Sequence, residues 1–453
     1  MYLKISNIKA IEKQKASFLL VVKNKFSKMG EDLYWINEDA FNIIKQLDGT
    51  KTKNEIVRSM CGDQKALFEQ AENNLNDFLE SLQNNYGIII ECIEKANKVE
   101  VPVLGTGQTQ YPSAISVEIT HQCNAKCLHC YGNYSCHNKF IDNTDDIKKM
   151  LKDARTAGTR VVEFTGGEVT CHPHFLDILK CAYSLNYNLV SILSNGLFWN
   201  EELFELIEKN KDKTVVQIDL HGDNDDYINW FMGTKIDNIS DRIKKTIQRI
   251  HNMKIMMRVV TMITPQNLNQ LVNIADWVHS VGIDCYGLSS ITPMGRSDLE
   301  DEHNILLKTE TDMTKCAETI STINKKYGEG FLYQVKDGDP NLSNCGAFTS
   351  NPSITPSGNI KFCAMDDETI IKSFGNVFKD NIGDIYTKKY KILNMIRKIP
   401  APSYDSEECK NCKSKYFCSY CIIRGLTAAK ENNFKDCLWY INRVPKEFKE
   451  MVI

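Results

Sequence analysis

The middle third of the chain alternates two hydrophobic patterns. Apolar, β-branched runs fall at Ala114–Ile119, Arg160–Phe164, Leu189–Leu193, Thr214–Leu220, Ile255–Ile263 and Asp284–Ser290. Between them apolar residues recur at helical spacing, as in Leu176–Tyr183 and Leu271–Val278. Six strand–helix repeats predict an α/β fold with a parallel sheet over residues 113–305, open or curled into a partial TIM-like barrel. Chemistry in such folds sits at the C-terminal ends of the strands. Residues 1–98 follow another pattern. Phe18–Val22 and Leu33–Ile36 read as strands around a turn at Gly30. Ala40, Ile43, Ile44 and Leu47 mark one face of a helix that Asp48-Gly49 stops. Thr52-x-x-Glu55 is a capping box for a second helix, and Leu75, Phe78, Leu79 and Leu82 mark a third. Residues 99–112 lack periodicity and read as a linker. From about residue 341 the pattern breaks into short, cysteine-rich loops.

Composition narrows the class. The 453 residues exceed one typical core, so several domains are expected. With 42% hydrophobic and 25% charged residues the chain reads as globular, and a net charge of −3 argues against nucleic acid as a partner. Apolar runs such as Phe18–Val22 and Gly87–Ile90 are too short to span a bilayer, and the opening MYLKISNIKA lacks a signal peptide's apolar region. The cytoplasm is the expected location, with no membrane partner. Cysteine is the anomaly: 17 residues, mostly clustered. Without an export signal, clustered cysteines suggest metal or iron–sulfur ligands rather than disulfides.

Directly after the first barrel strand comes Thr120-His-Gln-Cys123-Asn-Ala-Lys-Cys127-Leu-His-Cys130-Tyr131. Three thiolates in one loop can hold three irons of a [4Fe–4S] cluster and leave the fourth open to another ligand. A zinc knuckle completed by His121 or His129 is the alternative. Thr165-Gly166-Gly167-Glu168 ends the second strand, where paired glycines allow close backbone approach. Ser194-Asn195-Gly196 ends the third and Asp219-Leu-His221-Gly222 the fourth; either an ordinary β–α turn or a pocket wall fits both. Arg258 and Arg296, on and after later strands, are candidates for carboxylate binding or for surface salt bridges.

The C-x3-C-x2-C loop and the following Gly-Gly-Glu resemble the radical S-adenosylmethionine (SAM) superfamily. Val169 stands where that family usually has proline. The resemblance implies that Cys123, Cys127 and Cys130 bind a [4Fe–4S] cluster, that Glu168 pairs with the SAM ammonium, and that Tyr131, Gly166, Gly167, Ser194, Asn195, Asp219 and Arg258 border SAM. In the family, one-electron reduction of SAM releases a 5′-deoxyadenosyl radical.

Further along, Cys345-x12-Gly358-x4-Cys363, Cys409-x2-Cys412-x5-Cys418-x2-Cys421 and Cys437 resemble the SPASM extension of radical SAM peptide and protein maturases, with the third spacing one residue shorter than usual. That resemblance makes residues 306–453 a bridging helix and auxiliary-cluster domain. It implies that Cys409, Cys412, Cys418 and Cys437 close one cluster while Cys345, Cys363 and Cys421 hold another with an open iron, giving three [4Fe–4S] clusters in all. A structural zinc site at Cys409–Cys421 is the alternative. Cys61, Cys92, Cys136, Cys171, Cys181, Cys285 and Cys316 are expected as buried small hydrophobes. The stretch Ile36–Val57 resembles the peptide-chaperone domain of pyrroloquinoline quinone biosynthesis, a winged-helix-like element that grips a precursor's leader; a DNA-binding winged helix is its rival.

Together these resemblances imply a maturase of a ribosomally made precursor peptide with a leader and a cysteine-bearing core. It would form thioether crosslinks, as sactipeptide and ranthipeptide synthases do, and draw electrons from a flavodoxin- or ferredoxin-type reductant. Carbon–carbon crosslinking and epimerisation are the enzymatic alternatives. A non-catalytic iron–sulfur regulator is the alternative of another class.

Overall fold

The computed structural model describes residues 1–15, 17–24, 31–62, 64–297, 303–328, 330–333, 345–366 and 368–453. The turn expected at Gly30 lies outside the described residues. The chain divides into two compact units: Met1–Tyr111 with Tyr386–Tyr390, and Pro112–Ile385 with Lys391–Ile453.

Among the described residues the first unit has seven strands and three α-helices. The strands are β1 (Tyr2–Ile5), β2 (Ile8–Lys13), β3 (Phe18–Lys23), β4 (Glu31–Ile36), β5 (Asp48–Thr52), β6 (Ile90–Ile93) and β7 (Val103–Leu104); the helices are α1 (Glu38–Ile44), α2 (Lys53–Cys61) and α3 (Phe68–Asn84). One sheet runs β5-β1-β6 and the other β4-β3-β2-β7. The capping box forms: the Thr52 N–H donates to Glu55 Oε2 at 2.7 Å and the Glu55 N–H to Thr52 Oγ1 at 3.4 Å. Phe18 stacks on Phe41 at 4.2 Å, inside a core that includes Leu20, Ile44, Leu75 and Leu82.

Two expectations change here. Asp48-Gly49 does more than stop a helix. Its segment continues as β5, pairing antiparallel with β1, and Gly49 takes φ +82° where a Cβ would stand 2.3 Å from the Asn97 carbonyl oxygen. Residues 99–112 are ordered against the unit rather than spanning a gap, since Val103 and Leu104 pair in parallel with Ile11 and Glu12. Both segments draw their structure from partners distant in sequence, which local patterning does not report.

In the second unit the six expected strands form as β8 (Ala114–Thr120), β9 (Val161–Gly166), β10 (Leu189–Ser194), β11 (Thr214–Asp219), β12 (Met256–Ile263) and β13 (Cys285–Ser290), all parallel and in sequence order. β14 (Leu332–Tyr333) extends the β13 edge, and β15 (Ser353–Ile354) with β16 (Ile360–Lys361) extends the β8 edge. The six strands are the parallel α/β partial barrel that was expected, and only β16, which pairs antiparallel with β15, departs from the parallel order. Helices α4 (Thr144–Ala157), α5 (Phe175–Ser184), α6 (Glu201–Lys209), α7 (Asp225–Met232), α8 (Ile239–Asn252) and α9 (Leu271–Val281) are inserted between successive strands, and α10 (Glu310–Tyr327) follows β13. Burial alternates along the strands. On β9, Val162 and Phe164 are fully buried while Glu163 and Thr165 are half-buried; on β12, Met257 and Val259 are buried while Arg258 and Val260 are half-buried. One face thus packs under helices, and the other lines an open concavity with polar groups.

One buried ion pair ties the cysteine-rich segment to the first barrel strand. Lys361 Nζ lies 2.6 Å from Glu118 Oε1, with side-chain exposures of 5% and 0%. Glu118 Oε2 also meets His121 Nε2 at 3.0 Å. Burial by itself raises the Glu118 pKa, but the His121 hydrogen bond and the Lys361 charge outweigh it and hold the carboxyl below its ordinary range. A folded-state value below the unfolded one stabilises the fold at neutral pH, and that stabilisation is lost as pH falls through the folded value. Lys361→Met leaves the buried Glu118 with its His121 contact but without its ammonium partner, so it is expected to lower stability by about 3–5 kcal/mol. The double change Glu118→Gln with Lys361→Met should recover most of that loss. Urea unfolding of the three proteins checks this; a single variant as stable as wild type would show that the pair carries no such role.

Candidate active site

At the C-terminal ends of β8–β11 the described structure opens a cavity of about 820 Å³. Cys123, Cys127, Cys130, Tyr131, Gly166, Gly167, Glu168, Ser194, Asn195 and Asp219 all line it, as do His129, Tyr134, Gln217, His221 and Met232. Of the residues expected around SAM, only Arg258 is absent from the lining. Its guanidinium donates to Gln217 Oε1, and Gln217 Nε2 donates to Asp219 Oδ1 at 3.2 Å, so Arg258 reaches the cavity through two neighbours.

The glycines are explained by contact. The Gly167 N–H donates to the Thr120 carbonyl at 2.7 Å and the Glu168 N–H to the Gln122 carbonyl at 2.9 Å. Gly166 takes φ +133°, and a Cβ there would stand 2.2 Å from the Thr120 oxygen; one on Gly167 would stand 2.2 Å from the Gln122 oxygen. Only hydrogen side chains let the second strand's end lie against the cysteine loop. The far side of the loop rests on the end of α7, where the Lys126 and Leu128 N–H groups donate to the Met232 and Phe231 carbonyls at 2.8 and 2.9 Å.

Glu168 is fully buried and held by four donors. Ser194 Oγ (2.8 Å), Thr170 Oγ1 (2.8 Å) and the Thr170 N–H (3.1 Å) reach Oε1, and the Asn195 N–H reaches Oε2 at 2.8 Å. Ser194 in turn accepts from Trp199 Nε1 at 2.9 Å, so it serves to orient Glu168. Burial raises the Glu168 pKa despite these donors, and it pushes Asp219 up to about 6. A cationic ligand in the cavity relieves both penalties.

The imidazoles do not complete a zinc knuckle. His121 is bonded to Glu118 and stacked on Tyr134 at 4.8 Å, while His129 lies flat on Phe231 at 4.9 Å and edge-on to His221 at 5.0 Å. Among the described residues no group of three or more His, Cys, Asp or Glu side chains is placed to hold a single metal ion. The three thiols instead all line the cavity. Burial pushes Cys123 up to about 12 and lifts Cys127 well above the ordinary thiol range, so binding an iron cluster is what would make thiolates of them.

Arg296 departs from expectation. It binds no carboxylate among the described residues; its guanidinium ends on the cysteine loop, with Nη1 donating to the Cys127 carbonyl at 2.6 Å and Nη2 to that of Tyr134 at 2.8 Å.

The other cysteines fall into two groups. Cys409, Cys412, Cys418 and Cys437 line a second cavity of about 710 Å³ with Pro402 and Trp439. Burial pushes Cys418 up to about 12, reinforced by Cys412, Cys437 and Cys409. Burial likewise takes Cys363 up to about 12, reinforced by Cys421, Asp366 and Cys345, which gathers that trio at a separate place. The turn Cys418-Ser-Tyr-Cys421, with Tyr420 at φ +61°, divides neighbouring cysteines between the two groups. Of the seven remaining cysteines only Cys316 is buried; Cys92 and Cys136 are exposed and the rest half-buried, against the expectation for small hydrophobes. Gln217, Met232 and Tyr134 are cavity residues that sequence reasoning passed over. Gln217 sits two positions before Asp219 on one strand face, a signal the period of two could have supplied.

Fold and cavity together define an iron–sulfur enzyme site on a parallel α/β scaffold. The chain matches the radical SAM superfamily over residues 117–278 and the SPASM iron–sulfur cluster-binding domain over 345–413; it belongs to the radical SAM proteins that carry a SPASM domain. It is 25% identical over 426 residues to the antilisterial bacteriocin subtilosin biosynthesis protein AlbA of Bacillus subtilis, covering 92% of this chain and 90% of AlbA. It is also 25% identical over 347 residues to the tungsten-containing aldehyde ferredoxin oxidoreductase cofactor-modifying protein of Pyrococcus furiosus, covering 71% and 94%. Among solved structures, Streptococcus suis SuiB bound to SAM superposes with a TM-score of 0.60 at 16% identity, covering 94% of this chain and 96% of SuiB. No described helix is long and apolar enough to cross a membrane.

Replacing Cys123, Cys127 and Cys130 together by alanine should abolish deoxyadenosine release from SAM. Gly167→Ala should reduce it on the order of a hundredfold by displacing the loop, while Gly330→Ala, which meets nothing within 4 Å, should leave it unchanged. Chromatographic assay of deoxyadenosine after reduction checks all three.

Proposed function

We propose that this chain is a maturase of a ribosomally synthesised precursor peptide, joining a cysteine sulfur to a carbon of another residue in a thioether link. The observation that carries the reading is that Cys409, Cys412, Cys418 and Cys437 line one cavity, apart from Cys345, Cys363 and Cys421, in a chain that matches both the radical SAM and the SPASM domains. Similarity to AlbA along nearly the whole chain supports it, because AlbA serves the biosynthesis of a bacteriocin. A solved SuiB structure with the same fold contains a precursor peptide, SuiA.

In this reading Cys123, Cys127 and Cys130 hold the first [4Fe–4S] cluster. Cys345, Cys363 and Cys421 hold a second, and Cys409, Cys412, Cys418 and Cys437 a third. When bound, the first cluster and SAM supply a 5′-deoxyadenosyl radical on receiving one electron from a flavodoxin- or ferredoxin-type protein. Glu168, oriented by Ser194, Thr170 and Asn195, receives the SAM ammonium, and the same donors keep its carboxylate fixed. Asp219, steadied by Gln217, offers acceptors to hydroxyl groups. The half-buried inner face of the sheet, with Glu163 and Arg258, borders the space where the peptide carbon would be presented. Positioning decides the product there, because a carbon radical couples to whatever is held nearest.

Residues 1–98 would bind the leader. Among the described residues β4 lies at one end of its sheet and pairs only with β3, leaving an edge to which an extended peptide can add.

Reconstituted enzyme, SAM, reductant and a cysteine-bearing precursor should yield a peptide lighter by two hydrogens per link, and a core with serine in place of cysteine should stay unlinked. A crosslink found between carbons, with free thiols retained, would move the assignment to carbon–carbon coupling. Leader peptides N-methylated at alternate backbone amides should bind full-length protein at least roughly tenfold more weakly, since each methyl removes a ladder donor. Equal affinity in fluorescence polarisation would remove the strand-addition reading.

A further inference from the structure

Gly295 and Arg296 follow β13, the strand farthest from the cysteine loop among the six, yet they close on that loop. Gly295 takes φ +61°, and a Cβ there would stand 2.2 Å from the Tyr131 carbonyl oxygen and 2.6 Å from that of Cys130. The Arg296 N–H donates to the Cys130 carbonyl at 3.0 Å. Its guanidinium then donates to the carbonyls of Cys127 at 2.6 Å and Tyr134 at 2.8 Å, and from Nε to Asn133 Oδ1 at 3.1 Å. All four acceptors are neutral oxygens of one loop. Among the described residues the guanidinium enters no ion pair.

A planar fork with every nitrogen engaged fixes geometry in a way a flexible ammonium does not. It spans residues 127–134, the segment carrying two of the three thiols. The charge matters separately. The guanidinium sits against the backbone of Cys127 itself, 2.6 Å from its carbonyl oxygen, so its charge is held beside the thiol-bearing loop. A cation fixed beside an iron–sulfur cluster favours the reduced form, which carries one more negative charge.

We propose that Arg296 is a positioning residue for the first cluster: its fork fixes the loop that carries the thiols, and its uncompensated charge raises the reduction potential of the cluster they bind. The proposal rests on the reading that Cys123, Cys127 and Cys130 hold that cluster. Two roles in one side chain are separable by substitution. Arg296→Gln removes charge and fork, Arg296→Lys keeps the charge without the fork, and Asn133→Asp keeps the fork while setting a carboxylate against the charge.

The readouts are the midpoint potential of the cluster whose paramagnetic resonance signal changes on adding SAM, and the rate at which a chelator strips its iron. Arg296→Gln is expected to lower the potential and speed iron loss several-fold. Arg296→Lys should keep the potential near wild type but lose iron as fast. Asn133→Asp, the mildest change to the fold, should lower the potential with wild-type iron retention. Unchanged potentials in the Gln and Asp variants overturn the electrostatic role, and wild-type iron retention in the Lys variant overturns the fork. A wild-type protein with no SAM-sensitive signal would instead defeat the cluster reading itself.

Discussion

Three thiols on a loop that is almost entirely without regular structure must be held at fixed separations, and everything around the cavity follows from that demand. The loop cannot brace itself, because backbone hydrogen bonds within a short irregular segment are too few. Its carbonyls and N–H groups are therefore taken up from outside: by Gly167 and Glu168 on one side, by the end of α7 beneath, and by Arg296 arriving from the far edge of the six-stranded array. Each brace needs unusual closeness. Gly166, Gly167, Gly233 and Gly295 each stand where a Cβ would fall within 3 Å of a loop carbonyl oxygen.

Electrostatics around the cavity follow a related logic. The protein collects acidic groups there, with Arg296 a cation fixed on the cysteine loop: Glu168 and Asp219 are raised, Cys123 and Cys127 are raised, and His129 and His221 are pressed toward neutrality by burial. By itself this arrangement is unfavourable, and it fits a site completed by iron and a cationic ligand. Energy of that kind has to be offset elsewhere in the fold. Buried pairing at Glu118–Lys361, at the base of the same loop, is one place where a carboxylate is fully compensated. That pair also ties the strand leading into Cys363 to the strand leading into Cys123 across β15, so the two cysteine regions share a footing.

Much of this was legible from residue order. Apolar, β-branched runs placed all six parallel strands to within a residue or two, because the strands of a parallel sheet covered by helices read as near-continuous apolar runs. The strand ends, the cysteine spacings and Gly166-Gly167-Glu168 located the cavity wall, since an α/β sheet presents its loops at one edge. The capping box and three-helix pattern of the first unit were legible for the same local reason.

What tertiary structure decided are the contacts made at long range. Short strands such as β1, β5 and β7 have too few residues to show a period and exist only because a partner is alongside. Arg296 looked like a carboxylate binder, since a guanidinium's partners cannot be read from its neighbours in the chain; folding turned it onto backbone oxygens 162 to 169 positions away. Division of the C-terminal cysteines was implied by resemblance, and in the fold Cys418 lines one cavity with Cys409, Cys412 and Cys437 while Cys421 does not. Sequence determined which groups could carry the chemistry, because side-chain type and strand period are local properties. Only the fold decided which of them meet, because that depends on chain segments closing over distances no local pattern encodes.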